Sequence, residues 1–515
     1  MHGKAEKMKG RQLLTIIGSV TLINFIARVL GFFREAVAGY QFGTAFQADS
    51  IIIAYTIPNL LYITAGGAIA TAFISVYGKI EDPREQGKYL ESFFSWLMVG
   101  LTLLTVCFVL FSDIIINLLF TGLDTHTAVL SARLFQVMAP ATFFLILSMW
   151  LRSLLTVNDR FAIAAISTLV MNGSFLVIAV LLFPWLDAFA HGYGATLGAI
   201  LMFVFLIYVI KKNRLFHFRL TFHRSEKVWR TFMMMVPVML GGATLHIYFL
   251  LHRVFAAWLD EGFITALNHT SKLVQMPQSI LMTAVTTVIM PVLSRKVAQR
   301  EDRHIANFFS LGLHLLALAI IPISVFLYFY AEPTVQAVFQ YGQFTEASTA
   351  MAVPLLQVFA IGMFFHAANV YITRFYYAYE RSIYPLIVSL VSVVGLNVLL
   401  NIALIGPLGA TGLAWGTTIS AGFNFLLLLL GLKGVIEWGK KPLRKAMWAT
   451  LGKFTSLTII ITVGLALFTS VFFPANPFVA LLSGGAVLFV LLIALFIVLR
   501  FPELDFIKDV MKNRK

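Results

Sequence analysis

Apolar residues in this chain fall in long, nearly unbroken runs, and short polar segments separate one run from the next. Runs of about twenty residues are what a helix rising 1.5 Å per residue needs to cross about 30 Å of hydrocarbon. Cutting the chain at its polar segments predicts about fourteen helices, over 12–40, 47–78, 90–120, 127–156, 161–183, 187–210, 228–258, 263–294, 305–330, 347–378, 383–404, 408–432, 447–473 and 477–500. None of the runs shows the alternation of a barrel strand, so the expected fold is an all-α polytopic membrane protein.

Composition agrees: 59% of residues are hydrophobic, 12% are charged and the mean hydropathy is +0.88. A water-soluble globule could not hide that much apolar surface. Charge then sets sidedness. The seven connections expected on one face, from 41–46 to 474–476, contain no Lys or Arg, and the acids at or beside them are Asp124, Asp187, Asp260, Glu261, Glu332 and Glu346. The opposite connections and the termini hold Lys4, Lys79, Arg160, the run from Lys211 to Arg230, Arg295, Arg381, Lys440 and Lys508, among others. The positive-inside bias makes that second face, with both termini, cytoplasmic. The net charge of +15 then reflects topology and attraction to anionic headgroups, and no nucleic-acid partner is expected. The single Cys107 cannot form an internal disulfide. The basic start followed by an apolar stretch has the outline of a signal peptide, but no small-residue cleavage site precedes Arg28, so it is read as a retained first span.

The sequence repeats itself. Gln136-Val137-Met138-Ala139, Phe143-Phe144 and Asp159-Arg160 recur 221 residues later as Gln357-Val358-Phe359-Ala360, Phe364-Phe365 and Glu380-Arg381. Gly194-Ala195-Thr196 matches Gly409-Ala410-Thr411 after a shorter connection, and Asp49 and Pro58 are echoed by Asn268 and Pro277. The expected organisation is an N-terminal six-helix lobe (1–212), a second six-helix lobe (213–433), and a C-terminal helix pair with a cytoplasmic tail (434–515). An even number of helices per repeat makes the two lobes parallel, the arrangement of a rocking transporter with its site between lobes. A duplicated scaffold or receptor would show the same repeat.

Ionisable residues within the spans are the candidate chemistry. Arg28, Arg34 and Glu35 lie in the first span, Asp49 in the second, Arg253 in the seventh, Lys272 in the eighth and Arg374 in the tenth. A charge near the bilayer centre costs at least about 2.5–3.5 kcal/mol, so such a set implies a wet or mutually paired interior. Arg28 and Glu35, two helical turns apart, share a stripe, with Gly31 between them as a point of bending or close approach. Bases outnumber acids in this set, which suits a substrate with clustered negative charge, and the arginine fork matches phosphate oxygens. A competing reading pairs Arg28 or Arg34 with Glu35 or Asp49 to hold two helices together. Arg374 near a helix end could snorkel, and Arg253 could meet Asp260. Pro58 and Pro277, mid-helix and symmetric, read as gating bends. No cofactor and no metal site is expected.

The run Ala27-Arg28-Val29-Leu30-Gly31-Phe32-Phe33-Arg34-Glu35, then Phe42-Gly43, Asp49 and Pro58-Asn59-Leu60-Leu61, resembles the signature of the MurJ (MviN) lipid II flippases of the MOP exporter superfamily. Tyr341-Gly342-Gln343-Phe344-Thr345 and Ile405-Gly406-Pro407-Leu408 are similar too. The resemblance implies a central cavity lined by Arg28, Arg34, Asp49 and Lys272, with Glu35 where an aspartate is usual. It also implies an undecaprenyl-pyrophosphate-linked peptidoglycan precursor as substrate, and contact with membrane lipids and with cell-wall synthesis machinery. The C-terminal helix pair, almost uncharged from Phe454 to Val498, reads equally as an apolar groove for the lipid tail or as lipid-facing padding. Two positions depart from the pattern: Tyr62 stands where arginine is usual, and Lys272 where arginine is frequent. Some members bind sodium through acids in the seventh and eleventh helices, where this chain has His252 and Asn401.

Two other functions compete with this one. A related MOP-type exporter of another polyprenyl-linked glycan or of a drug would share the fold, although a drug exporter should carry a more acidic cavity. A membrane-embedded transferase would need paired carboxylates or a positioned histidine. The pairs Glu81-Asp82, Asp260-Glu261 and Glu301-Asp302 lie in loops, and His246, His252 and His366 are scattered.

Overall fold

The computed structural model describes residues 10–223, 225–298, 302–436 and 441–499. Both basic termini expected to face the cytoplasm, and Arg224, Arg300 and Lys440, lie outside the described residues. Every regular element among the described residues is helical: α1 Gly10–Phe42, α2 Phe46–Tyr77, α3 Pro83–Leu110, α4 Ser112–Leu119, α5 Thr125–Val157, α6 Phe161–Leu186, α7 Phe189–Lys212, α8 Glu226–Ala256, α9 Phe263–Ala298, α10 Asp302–Phe329, α11 Ala331–Phe339, α12 Glu346–Ala378, α13 Ile383–Ser389, a π-helical stretch Leu390–Leu396, α14 Asn397–Leu432, α15 Lys441–Val471 and α16 Pro477–Leu499. Ten helical runs among the described residues are long and apolar enough to span a bilayer. One of them is the 50-residue run Ile383–Leu432, which reverses at Gly409, whose φ of +55° only glycine adopts at little cost. Two expected boundaries move. The run 90–120 breaks at Phe111 into α3 and α4, and the expected loop 331–346 begins with α11.

By packing, the chain divides into two compact units, Met1–Thr265 and Ala266–Lys515. In the first, α5 is the buried axis, packed by α2, α3 and α7, while α1 lies on α6 and α8 on α2. Trp150, Leu147, Leu151 and Leu154 of α5 are fully buried. Trp150 meets Phe73, Phe93, Phe94 and Phe216 at ring-centroid distances of 5.6–6.1 Å. In the second unit α12 takes the corresponding place, packed by α10, α11 and α14. Tyr371 and Tyr376 of α12 donate to the carbonyls of Phe309 and Leu428, at 3.0 and 2.7 Å. The C-terminal pair α15–α16 closes over α10, with Leu457, Ile461, Leu465, Ala480 and Tyr330 in one apolar cluster.

The duplication is reproduced in backbone detail. Asp159 and Glu380, 221 residues apart, both have φ of +58°. The Arg160 amide donates to Leu155 and the Arg381 amide to Tyr376, each at 2.9 Å. Asp124 caps α5 through the Thr127 amide, and Thr345 caps α12 through the Ser348 amide. Partial burial pushes the Asp124 carboxyl upward, but hydrogen bonds from Thr127 and His126 outweigh it and hold it below its ordinary value. The structure also corrects one match. Thr196 donates to the Val137 carbonyl at 2.6 Å and Thr418 to the Val358 carbonyl at 3.1 Å, so the partner of Thr196 is Thr418, not Thr411. Asp187, at φ +49°, is then the counterpart of Gly409.

Candidate functional site

The first unit gathers charge at one place between α1, α2, α6, α7 and α8. Arg34 and Glu35 sit side by side late in α1, and Arg34 Nη2 donates to Glu35 Oε1 at 2.8 Å, both side chains being half-buried. Neighbouring helix residues diverge by about 100°, so the contact depends on the length of the arginine side chain. The Arg34 guanidinium also lies 4.6 Å from the ring centroid of Phe175 on α6 and 5.3 Å from that of Tyr55 on α2. These two rings meet nearly edge to face, at 83°, and form a corner that holds the guanidinium. A desolvated cation over aromatic faces gains on the order of 2 kcal/mol. That helps offset burial without consuming its N–H donors.

Arg253, in the last turn of α8, donates from Nη1 to the Thr56 hydroxyl on α2 at 2.9 Å. Thr56 in turn donates to the Ile52 carbonyl at 2.7 Å, so its oxygen is already oriented as an acceptor. Thr56 follows Tyr55 in α2, so the Arg253 guanidinium is held on α2 one residue from the ring that flanks Arg34. His191, buried on α7, lies with Nε2 2.7 Å from Gln41 Oε1. The cluster thus holds the guanidiniums of Arg34 and Arg253 and the carboxylate of Glu35.

Asp49 is placed differently. Only 3% exposed, it accepts from the amides of Gly262 and Thr265 at 2.8 Å each, and from the Thr265 hydroxyl at 2.5 Å. Glu261 reciprocates by accepting from the Phe46 amide at 2.6 Å, at the start of α2. Each acid therefore satisfies donors at the beginning of the helix opposite, where the helix dipole favours negative charge. Asp49→Ala should strand these donors and cost on the order of 3–5 kcal/mol. Thermal unfolding of the purified protein checks this, and an unchanged midpoint would contradict it.

The remaining sequence-predicted residues spread further. Arg28 is on an exposed position of α1. Gly31 faces Asn172 of α6, whose side-chain amide donates to the Ala27 carbonyl at 2.9 Å, the carbonyl that the Gly31 amide would use in a regular helix. Pro58 is buried within α2, where it removes the donor to Ala54. Lys272 and Pro277 are half-buried on α9 and Arg374 on α12, all in the second unit, where the Arg374 Nε is buried without a hydrogen bond among the described residues. Sequence reasoning passed over Tyr55, Phe175 and His191, and over Arg152, an arginine inside the span 127–156. The signal for Tyr55 was its position seven residues before Tyr62, on one face of α2.

A sequence profile described as lipid II flippase MurJ matches residues 38–484, most of the chain. This chain belongs to the lipid II flippase MurJ family. A probable lipid II flippase MurJ of Buchnera aphidicola subsp. Acyrthosiphon pisum (strain APS) is 27% identical over 429 residues, covering 81% of this chain and 83% of that protein. A second probable lipid II flippase MurJ, from Rhizobium meliloti (strain 1021), is 28% identical over 443 residues, with 82% and 81% covered. Among solved structures, lipid II flippase MurJ in an inward closed conformation superposes with a TM-score of 0.81 at 23% identity, covering 93% of this chain and 98% of that one. An inward-facing multidrug resistance MATE transporter of the MOP superfamily is more distant, with a TM-score of 0.61 at 12% identity over 81% and 95% of the two chains. This family member is thus a multi-pass protein of the bacterial inner membrane with the MOP-type fold, and a transporter rather than an enzyme.

Proposed function

We propose that this chain is a lipid II flippase, carrying the undecaprenyl-diphosphate-linked peptidoglycan precursor from the inner to the outer leaflet by alternating access. The observation that carries the reading is the placement of the Arg34 and Arg253 guanidiniums at neighbouring residues of α2, with the Glu35 carboxylate beside Arg34, in a unit of membrane-spanning helices. A diphosphate is what paired guanidinium forks suit. Membership of the MurJ family supports the substrate. The drug-exporter alternative fits the fold but not the sign of the charge, since a cationic drug would be repelled.

Arg34, Arg253, Glu35 and Arg28 are the proposed headgroup contacts of the first unit, and Lys272 and Arg374 are those proposed for the second. Asp49 takes a positioning role, holding the turn Gly262–Thr265 on α2 in the conformation described. Release of that turn, with Gly31, Pro58 and Pro277 as bending points, provides the motion that exchanges access. The headgroup crosses among polar contacts while the polyprenyl tail stays in hydrocarbon beside α15 and α16. The two lobes of this motion are the repeats 1–212 and 213–433, and cell-wall synthesis enzymes would receive the product. No bond is made or broken.

Depletion of the resident flippase in a bacterium tests the reading in cells. Expression of this chain should restore growth and lipid II translocation, and failure to restore either in a correctly inserted, abundant protein would sink it. Orientation has its own test. In a Cys107→Ala background, Gln343→Cys should react with an impermeant thiol reagent from outside and His217→Cys should not; the reverse pattern would invert the topology.

A further inference from the structure

We propose that Arg152 of α5 and Tyr62 of α2 form a phosphate-binding step for the lipid-linked substrate, separate from the Arg34 cluster and reached before it from the cytoplasmic side. The proposal rests on the flippase reading above for its ligand. Its geometry is independent of that reading.

Arg152 is a half-buried guanidinium inside a membrane span. Nη1 donates to the Tyr62 hydroxyl at 3.2 Å and lies 3.3 Å from the Met149 sulfur, a weak acceptor. Among the described residues no carboxylate forms an ion pair with Arg152. A guanidinium carries five donors and cannot shed its proton, so in a span it calls for an anion or for water.

The place is built by close helix packing. Tyr62 and Gly66, one turn apart on α2, face Met149 and Arg152, one turn apart on α5. At Gly66 a β-carbon would come within 2.7 Å of Met149 Cγ, so only glycine lets Met149 lie flat against α2 beneath the guanidinium. Tyr62 also stands seven residues after Tyr55, on the same stripe of α2 and about 10 Å further along it. Tyr55 is the ring that flanks Arg34. One face of α2 therefore carries two guanidinium stations in line, Arg152 at Tyr62 and Arg34 at Tyr55. The Arg152 station is nearer the ends of α2 and α5 that lead into the connections bearing Lys79 and Arg160, the face proposed as cytoplasmic. A fork of this kind accepts a phosphate ester in two parallel hydrogen bonds. Either the lipid-linked diphosphate or a bilayer phospholipid could supply that group.

Binding of undecaprenyl diphosphate and, separately, of phosphatidylglycerol to the purified full-length protein, followed by native mass spectrometry, tests the proposal. Arg152→Gln should weaken undecaprenyl diphosphate binding about tenfold or more, one charge-assisted pair being lost, while Arg160→Gln, at the exposed loop nearby, should change it little. The double variant Arg152→Gln/Tyr62→Arg returns a guanidinium to the same spot from α2 and should restore binding. A structural brace would not be restored in this way. Equal loss of both lipids would keep the phosphate site and make it general for lipid phosphates, whereas loss of phosphatidylglycerol alone would overturn the substrate assignment. Unchanged binding of both lipids by Arg152→Gln, or failure of the double variant to recover while its melting midpoint is normal, would overturn the site. Absence of undecaprenyl diphosphate binding in the unaltered protein would instead count against the flippase reading itself.

Discussion

Replacing both members of the central pair, Arg34→Ala/Glu35→Ala, is expected to abolish flipping while leaving the protein folded and abundant. The double variant matters because the single change Arg34→Ala leaves Glu35 as an uncompensated charge, a defect worth about 3–5 kcal/mol that would confuse stability with function. With both gone, the interior loses no net charge and the corner made by Tyr55 and Phe175 remains apolar. What disappears is the fork that would grip phosphate. Charge-assisted hydrogen bonds are worth about 1.5–3 kcal/mol each, so losing two lowers transport roughly a hundredfold or more. Arg34→Lys, which keeps the charge but not the two-pronged geometry, should fall between. Lys272→Ala in the second unit should be comparably damaging, and Lys272→Arg tolerated. Normal flipping by the double variant would remove Arg34 from the site.

Transport should follow membrane potential and survive replacement of sodium by potassium or choline at constant potential. Where the resemblance places the sodium-binding acids of some family members, this chain carries His252 and Asn401. Asn401 is fully buried and its Nδ2 donates to Asn397 Oδ1 at 3.1 Å, an amide pair with no carboxylate to hold a hard cation. A potential negative inside drives an outgoing anion in the favourable direction: roughly 2.3 kcal/mol per charge at 100 mV, or close to fiftyfold in the distribution of substrate. Dissipating the potential should therefore reduce transport by an order of magnitude. Loss of activity on sodium removal alone, with the potential verified as unchanged, would contradict this.

How much of this was legible in the sequence depends on the length of the signal. Membrane helices were legible because each is specified by twenty-odd apolar residues, and the duplication because Gln136-Val137 and Gln357-Val358 recur at a fixed interval. The register after the second turn was not, because Gly-Ala-Thr is short and recurs by chance two helical turns from its true counterpart, which only the Thr418 hydrogen bond to Val358 reveals. Arg34, Glu35 and Arg253 stood out as charges in apolar runs. Their partners did not, since Thr56, Tyr55 and Phe175 are ordinary membrane-helix residues whose role comes from the packing of α2, α6 and α8. Asp49 was legible as a buried acid but not as a helix cap, because the amides it satisfies lie more than 200 residues away in sequence.

Flipping in a purified system bears most directly on the account. The chain would be reconstituted into liposomes containing fluorescently labelled lipid II, with an inside-negative potential imposed and an impermeant quencher added outside. The account predicts that outward-facing lipid II accumulates in time with wild-type protein and not with Arg34→Ala/Glu35→Ala. Equal rates for the wild type, the double variant and protein-free liposomes would contradict it.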